Sequence, residues 1–188
     1  MTTRDHSRLP EEADLLRRAR GGDSEALERL VTWHHGAVYR FLLAFLRDED
    51  RAADATQETF LKALNRLESF RGESSFRTWL FVIARNEALG SIRSSGRRRE
   101  DALDDKAPLV DRGVAPDEEA LLREEVRRVR VALERLPEKQ RLTVSLRLFD
   151  ELSFREIGEI VDSSEGAARV NYHYGLGRLR EWLEEGLA

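Results

Sequence analysis

Residues 152–183 read LSFREIGEIVDSSEGAARVNYHYGLGRLREWL, and the architecture follows outward from them. A short helix is predicted over Ser153–Val161, then a tight turn at Asp162-Ser163, then a longer helix from Ser164 to about Glu185. Two helices joined by so short a turn match the helix-turn-helix plan. On a helical wheel, Ala168, Tyr172, Gly175, Leu179 and Trp182 of the longer helix form one narrow stripe, expected to pack on Ile157, Ile160 and Val161. The other side shows Gly166, Arg169, Val170, His173, Tyr174 and Arg180. Arginine and histidine there could reach base edges and phosphates in a major groove. A plain helical hairpin with a solvated polar face shares this spacing, so both readings stay open on these residues.

Toward the N-terminus, apolar residues recur at helical spacing and no convincing strand is found. Helices are predicted over about Glu11–Arg20, Asp23 or Ser24 to Arg47, Asp50–Leu67, and Ser74 or Ser75 to Ser94. Gly21-Gly22 and the loop Glu68–Ser74 interrupt them. Periodicity is lost from Ser95 to about Pro116, where Gly96, Pro108, Gly113 and Pro116 punctuate the chain. Helices resume over Asp117–Arg135 and Glu138–Phe149, divided at Pro137. The expected fold is all-α, two small helical domains joined by an acidic flexible linker, the second with the helix-turn-helix.

Charge is unevenly spread along this plan. The net charge is −4 over 188 residues. Residues 71–99 carry seven basic and two acidic groups, a balance of +5, and residues 100–125 carry three and ten, a balance of −7. A general nucleic-acid coat would be basic throughout, so this pattern suits conditional DNA contact aided by a partner. The chain has no cysteine, which excludes disulfides, thiol catalysis and cysteine zinc sites. It has no long apolar run to span a membrane, and Met1–Pro10 lacks an apolar signal core, so a cytoplasmic location without membrane insertion is expected.

The third and fourth helices each show two faces. On the third, Ala53, Phe60, Ala63, Leu64 and Leu67 form the expected buried side. Asp54, Gln57, Glu58 and Leu61 line up on another, where a leucine among carboxylates suits a protein partner with a basic surface. An ordinary solvated face is the alternative. On the fourth, Phe76, Leu80, Ile83, Ala84 and Ala88 point inward, and Trp79, Asn86, Gly90, Arg93 and Arg97 share another side. An exposed tryptophan beside asparagine and arginine suits stacking on unpaired bases, the alternative being that Trp79 is core. The loop Phe70-Arg71-Gly72-Glu73-Ser74-Ser75-Phe76 could cup a base swung out of the stack.

Three stretches of the N-terminal half are Asp54-Ala55-Thr56-Gln57-Glu58-Thr59-Phe60-Leu61-Lys62-Ala63, Phe70-Arg71-Gly72 and Thr78-Trp79-Leu80-Phe81-Val82-Ile83-Ala84-Arg85-Asn86. With Leu136-Pro137-Glu138-Lys139-Gln140-Arg141 and Leu152-Ser153-Phe154-Arg155-Glu156-Ile157-Gly158, they make the chain resemble the bacterial extracytoplasmic-function sigma factors. The resemblance covers residues 11–97 and 118–185, with the motifs in order. It implies a transcription initiation factor that binds core RNA polymerase, directs it to −10 and −35 promoter elements and assists duplex opening. It implies no catalytic residue, cofactor or metal. The partners implied are core RNA polymerase, promoter DNA and an anti-sigma factor.

By that resemblance, residues 1–97 form the domain for core binding and −10 recognition, 98–117 the linker, and 118–188 the −35 domain. Asp54, Gln57, Glu58 and Leu61 match the face that binds the polymerase clamp helices. Phe70, Arg71, Gly72, Ser74, Phe76 and Asn86 match the part that captures a flipped −10 base. Arg93 and Arg97–Arg99 match a backbone-holding stretch, and Arg169, Val170, His173, Tyr174 and Arg180 belong to the −35 reader. The acidic tether matches a linker threading the RNA exit path. Relatives often carry aspartate where Gly90 stands, and basic residues where Asn171 and Tyr174 stand, so the −35 preference is not carried over. No fused sensory extension is expected after the last helix.

Two other function classes compete. A free-standing helix-turn-helix repressor explains neither the loop at Phe70–Phe76 nor the face at Asp54–Leu61. An enzyme needs a constellation this chain lacks: His34 and His35 are adjacent and diverge around their helix, while His6 and His173 stand alone.

Overall fold

Hydroxyl and carboxylate caps start most of the helices. A computed structural model of the chain describes residues 8–99 and 118–186. The helices are α1 (Arg8–Arg20), α2 (Ser24–Leu46), α3 (Glu49–Asn65), α4 (Phe76–Arg99), α5 (Glu118–Arg135), α6 (Glu138–Leu148), α7 (Phe154–Val161) and α8 (Glu165–Glu184), with a 3-10 turn at Leu67–Ser69. No strand occurs among the described residues. Asp23 begins α2 by accepting from the amides of Glu25 and Ala26 at 3.0 and 3.1 Å. The Ala26 amide foremost, with Arg18 beside it, holds the Asp23 carboxyl below its ordinary range. Gly22, at φ +86°, makes the turn before it.

The expected end of α4 at Ser94 is corrected to Arg99. Arginine is a good helix former, and cations suit the last turn of a helix. The tether from residue 100 to 117 lies outside the described residues.

The buried face of α3 is also corrected. Ala53 is exposed and Leu64 half-buried, whereas Ala52, Ala55, Thr56, Thr59, Phe60 and Ala63 are buried. Because α3 packs against both α2 and α4, its inner stripe turns toward Ala52, Ala55, Thr59 and Ala63. The two threonine hydroxyls are satisfied by donating to the Ala52 and Ala55 carbonyls, each at 2.6 Å.

The two halves do not stand apart. α4 packs on α7 and α2 on α6. Leu142, Leu146, Ile157, Ile160 and Val161 join the same buried cluster as Phe41, Phe45, Leu80 and Phe81. A second cluster, Ala132, Leu136, Val144 and Leu179, with Tyr172 and Trp182 against it, ties α8 to α5 and α6. The expected packing of the α8 stripe is therefore corrected. Only Ala168 joins the cluster that holds Ile157, Ile160 and Val161, while Leu179 and Trp182 turn to α5 and α6. Gly175 permits this close approach, since a Cβ there would lie 2.8 Å from Val144 Cγ2.

The helix-turn-helix rests on local chemistry. Ser153 and Glu156 form a reciprocal capping box at the start of α7, and Ser164 caps α8 by accepting from the Ala167 amide. A Cβ on Gly158 would sit 2.8 Å from the Ser163 carbonyl oxygen, a backbone atom that cannot swing aside. Gly158→Ala should therefore destabilise the protein by about 1–3 kcal/mol despite alanine's better helix propensity. Urea unfolding checks this; an unchanged or raised midpoint would show that the turn has room.

Candidate functional site

Asp54, Gln57 and Glu58 are all exposed on α3, and Leu61 keeps 54% of its surface in solvent. The spacing i, i+3, i+4, i+7 places them on one helix face. Neither carboxylate makes an ion pair among the described residues. A solvated apolar centre ringed by unpaired charge is a surface suited to docking rather than to holding this chain together.

The loop before α4 is built on aromatics. Phe70 and Phe76 are buried, with ring centroids 5.6 Å apart, and Trp79 lies 5.2 and 5.7 Å from them. The expectation of an exposed Trp79 is corrected: it is half-buried. Position 79 lies one turn beyond Phe76, where Phe70 closes over it. The aromatic trio thus makes a floor, and polar groups reach solvent above it. Gly72, at φ +75°, turns the chain back, and Arg71 and Gly72 are exposed with Ser74 half-exposed. A cleft of about 200 Å³ opens here, lined by Ser69, Phe70, Arg71, Ser74 and Trp79 and, from α7, by Glu159.

Asn86 is exposed about two turns further along α4 and does not line this cleft. Nothing stands within 4 Å of where a Cβ on Gly90 would be, so that stretch of α4 is open surface. Arg93 is exposed; Arg97 falls in the last turns of α4, and its side chain lies outside the described residues.

On α8, Arg169, Val170, His173, Tyr174 and Arg180 are exposed, as the wheel requires. Arg169 is pre-arranged: it donates to Glu165 at 3.0 Å, and its guanidinium carbon lies 4.9 Å from the centre of the Phe154 ring. Arg147 approaches the same ring at 5.1 Å.

Charged residues that the sequence left without a role join the two halves. Arg77 of α4 donates to the Asp150 carboxylate and, at 3.0 Å, to its carbonyl, while Arg40 of α2 reaches the carboxylate at 3.4 Å. Asp150 is buried, and that burial raises its carboxyl above the ordinary range against the pull of both guanidiniums. Arg85 meets Asp162 at 3.4 Å, and the Thr78 hydroxyl donates to Glu156 at 3.3 Å. Arg141 is buried and donates to the Ala44 carbonyl at 2.6 Å and to Leu136 at 2.7 Å. Burial, with Arg47 nearby, lowers its guanidinium to about 10, so it remains charged at neutral pH. The one signal in the sequence was the acidic pair Asp150-Glu151 between the apolar runs ending at Phe149 and resuming at Leu152.

His34 and His35 serve packing. His34 is buried, 2.7 Å from Glu12 and edge-on to Phe76, and His35 stacks on Phe60. No cluster of three or more metal-ligating side chains occurs among the described residues. Nor is any helix there long and apolar enough to cross a membrane.

The chain matches the family model of Sigma-70 region 2 over residues 30–98 and that of Sigma-70 region 4 over residues 132–181. It is 35% identical to an ECF RNA polymerase sigma-E factor of Haemophilus influenzae, over 90% of this chain and 92% of that one. It is 32% identical to an RNA polymerase sigma-H factor of Pseudomonas aeruginosa, over 95% and 96%. Among solved structures it is similar in fold to the sigma factor RpoE bound to the anti-sigma factor NepR from Bartonella quintana, with a TM-score of 0.68, 22% identity and coverage of 84% and 96%. It is similar also to CnrH in complex with the cytosolic domain of CnrY, with a TM-score of 0.67, 23% identity and coverage of 93% and 97%.

Proposed function

This chain belongs to the extracytoplasmic-function sigma factors, and from that premise we propose how its surfaces divide the work of a factor that binds core RNA polymerase and directs it to promoters. Residues 1–97 engage core polymerase and the −10 element, residues 118–188 read the −35 element, and 98–117 link them. The α3 face of Asp54, Gln57, Glu58 and Leu61 docks the polymerase. The cleft above the Phe70–Phe76–Trp79 floor takes a flipped −10 base, with Arg71, Gly72 and Ser74 at its mouth and Asn86, Arg93 and Arg97 along the adjoining strand. Arg169, Val170, His173, Tyr174 and Arg180 face the −35 duplex. The factor performs no catalysis of its own, uses no cofactor and works in the cytoplasm. An anti-sigma factor is a further partner, as the sigma factor RpoE of similar fold is in complex with one.

The observation that carries this division is the docking face on α3, a half-exposed leucine set among unpaired carboxylates, on the same chain as a capped helix-turn-helix. Transcription reconstituted from purified core polymerase, this chain and genomic fragments tests it. Specific transcripts that appear only when the chain is added are expected. Tight sequence-specific binding by the free chain, with no transcripts on addition of core, would replace this reading with that of a repressor.

Arg169 is the residue proposed to set −35 specificity. It stands near the N-terminal end of α8, the end that enters the major groove in a helix-turn-helix. Its planar fork can bond both acceptors of a guanine, and lysine cannot copy that. Arg169→Lys should lose about 1–3 kcal/mol of discrimination at one base pair with a smaller loss of general affinity. Selection from a promoter library by both proteins checks this. An unchanged −35 preference would leave Arg169 as a backbone contact and move the reader to His173 and Tyr174.

A further inference from the structure

α1 enters none of the roles above, yet it forms one wall of a groove of about 360 Å³. The other wall is the loop before α4. The floor is apolar, from Leu16 and Phe70, and the rim carries Arg17, Arg20 and Arg71, with Gly72 beside them. Arg20 secures the wall. It donates to the carbonyls of Leu67, at 3.3 Å, and Phe70, and its guanidinium carbon lies 5.6 Å from the centre of the Phe70 ring. Among the described residues Arg17 pairs only with Asp14, in a solvent-exposed pair, and Arg71 has no ion-pair partner. An exposed pair of that kind contributes little and yields readily to a phosphate.

Phe70 and Arg71 line this groove and also the smaller cleft over Trp79. The two hollows therefore lie on opposite sides of one thin partition with a free guanidinium on it. An apolar floor under a cationic rim is what a base and its phosphate require. The two hollows are adjacent, as neighbouring nucleotides on one strand are. No residue of the second half lines the groove, whereas Glu159 stands in the wall of the smaller cleft.

We propose that the groove between α1 and the Phe70 loop is a second nucleotide site, which takes the nucleotide next to the captured base on the same displaced strand. Its base lies on the apolar floor, its phosphates meet Arg17 and Arg71, and Arg20 acts as a positioning residue that holds the partition upright. The site rests on the base-capture reading of the neighbouring cleft.

The test uses the full chain assembled with core polymerase and promoter oligonucleotides already unpaired at −10. An abasic residue is placed at each unpaired position in turn, and affinity is measured at one salt concentration. Wild type should show two adjacent sensitive positions, each with a loss of roughly tenfold. Ala13→Trp, an exposed α1 position on the groove wall, should remove the sensitivity at one of them and leave the other. Arg17→Ala should weaken binding several-fold and flatten its salt dependence, and Arg17→Lys should restore both. One sensitive position, unmoved by Ala13→Trp, would overturn the second site while leaving base capture intact. No sensitive position anywhere would overturn both. Competition at the groove by a free nucleoside monophosphate, with oligonucleotide binding unaffected by Ala13→Trp and Arg17→Ala, would make it a small-molecule site and overturn the strand assignment.

Discussion

Assembly with core polymerase should be lost in a chain carrying Asp54→Lys and Glu58→Lys together. Both carboxylates stand exposed on the outer face of α3 beside half-exposed Leu61, and neither pairs within the described residues. Their replacement breaks nothing internal, so the stability change should stay within about 0.5 kcal/mol. Against a basic partner surface, two reversals turn attraction into repulsion. Like charges brought together at an interface cost several kcal/mol, so affinity should fall on the order of 100-fold or more. Leu61→Ala should fall less, since it removes apolar contact without adding repulsion. Gel filtration with core polymerase reads the assembly, and circular dichroism the helices. Normal holoenzyme from the double variant would leave this face a solvated surface and place the docking site elsewhere.

The second large effect concerns the arrangement of the two halves. Arg77 and Arg40 compensate the buried Asp150 carboxylate, and burial still leaves that carboxyl raised. Arg77→Glu would set a second carboxylate against it. Two carboxylates in such a site cannot both ionise without separating. The halves should part, by an energy of several kcal/mol, and adding Asp150→Arg should bring them together again by restoring opposite charges. Small-angle scattering distinguishes the states, since a closed chain of this length has a radius of gyration of about 16 Å. A radius unchanged in Arg77→Glu, or no return with Asp150→Arg, would show that the apolar contacts of α4 with α7 hold the halves without this pair.

The raised Asp150 carboxyl also gives closure a pH dependence of definite sign. A carboxyl that binds its proton more readily when closed stabilises closure fully below its open-state value, and that contribution is lost as pH rises through the closed-state value. The open fraction should therefore grow on the alkaline side of that transition, and Asp150→Asn should abolish the change. Closure also carries a functional consequence. It places Glu159 in the wall of the cleft over Trp79 and pairs Arg77 and Arg85 of α4 with acids from the second half. The separated variant should bind −10 single strands more tightly than the wild-type chain does alone.

Much of this molecule is written in local chemistry. Asp23, Ser75, Ser153 and Ser164 cap helices where they stand, and Pro137 divides α5 from α6, because caps and proline act within one turn of their own backbone. The exposure of Asp54, Gln57, Glu58 and Leu61, and of Arg169, Val170, His173 and Tyr174, follows from helical period alone. Periodicity states that a face is buried but not against what, and there tertiary structure decided. The α8 stripe divides between two partners, Ala53 turns out while Ala52 turns in, and Trp79 closes with Phe70 and Phe76 into a floor. Arg77 finds Asp150 across 73 positions and Arg141 finds the Ala44 carbonyl across 97, pairings that no spacing rule connects. Such contacts exist only once packed helices bring distant side chains together and remove them from water, where a charge must find its opposite or a carbonyl. The sequence alone therefore determined the helices, their caps and their outward faces. Only the tertiary structure determined that the two halves close on each other and that α1 walls a groove beside the Phe70 loop.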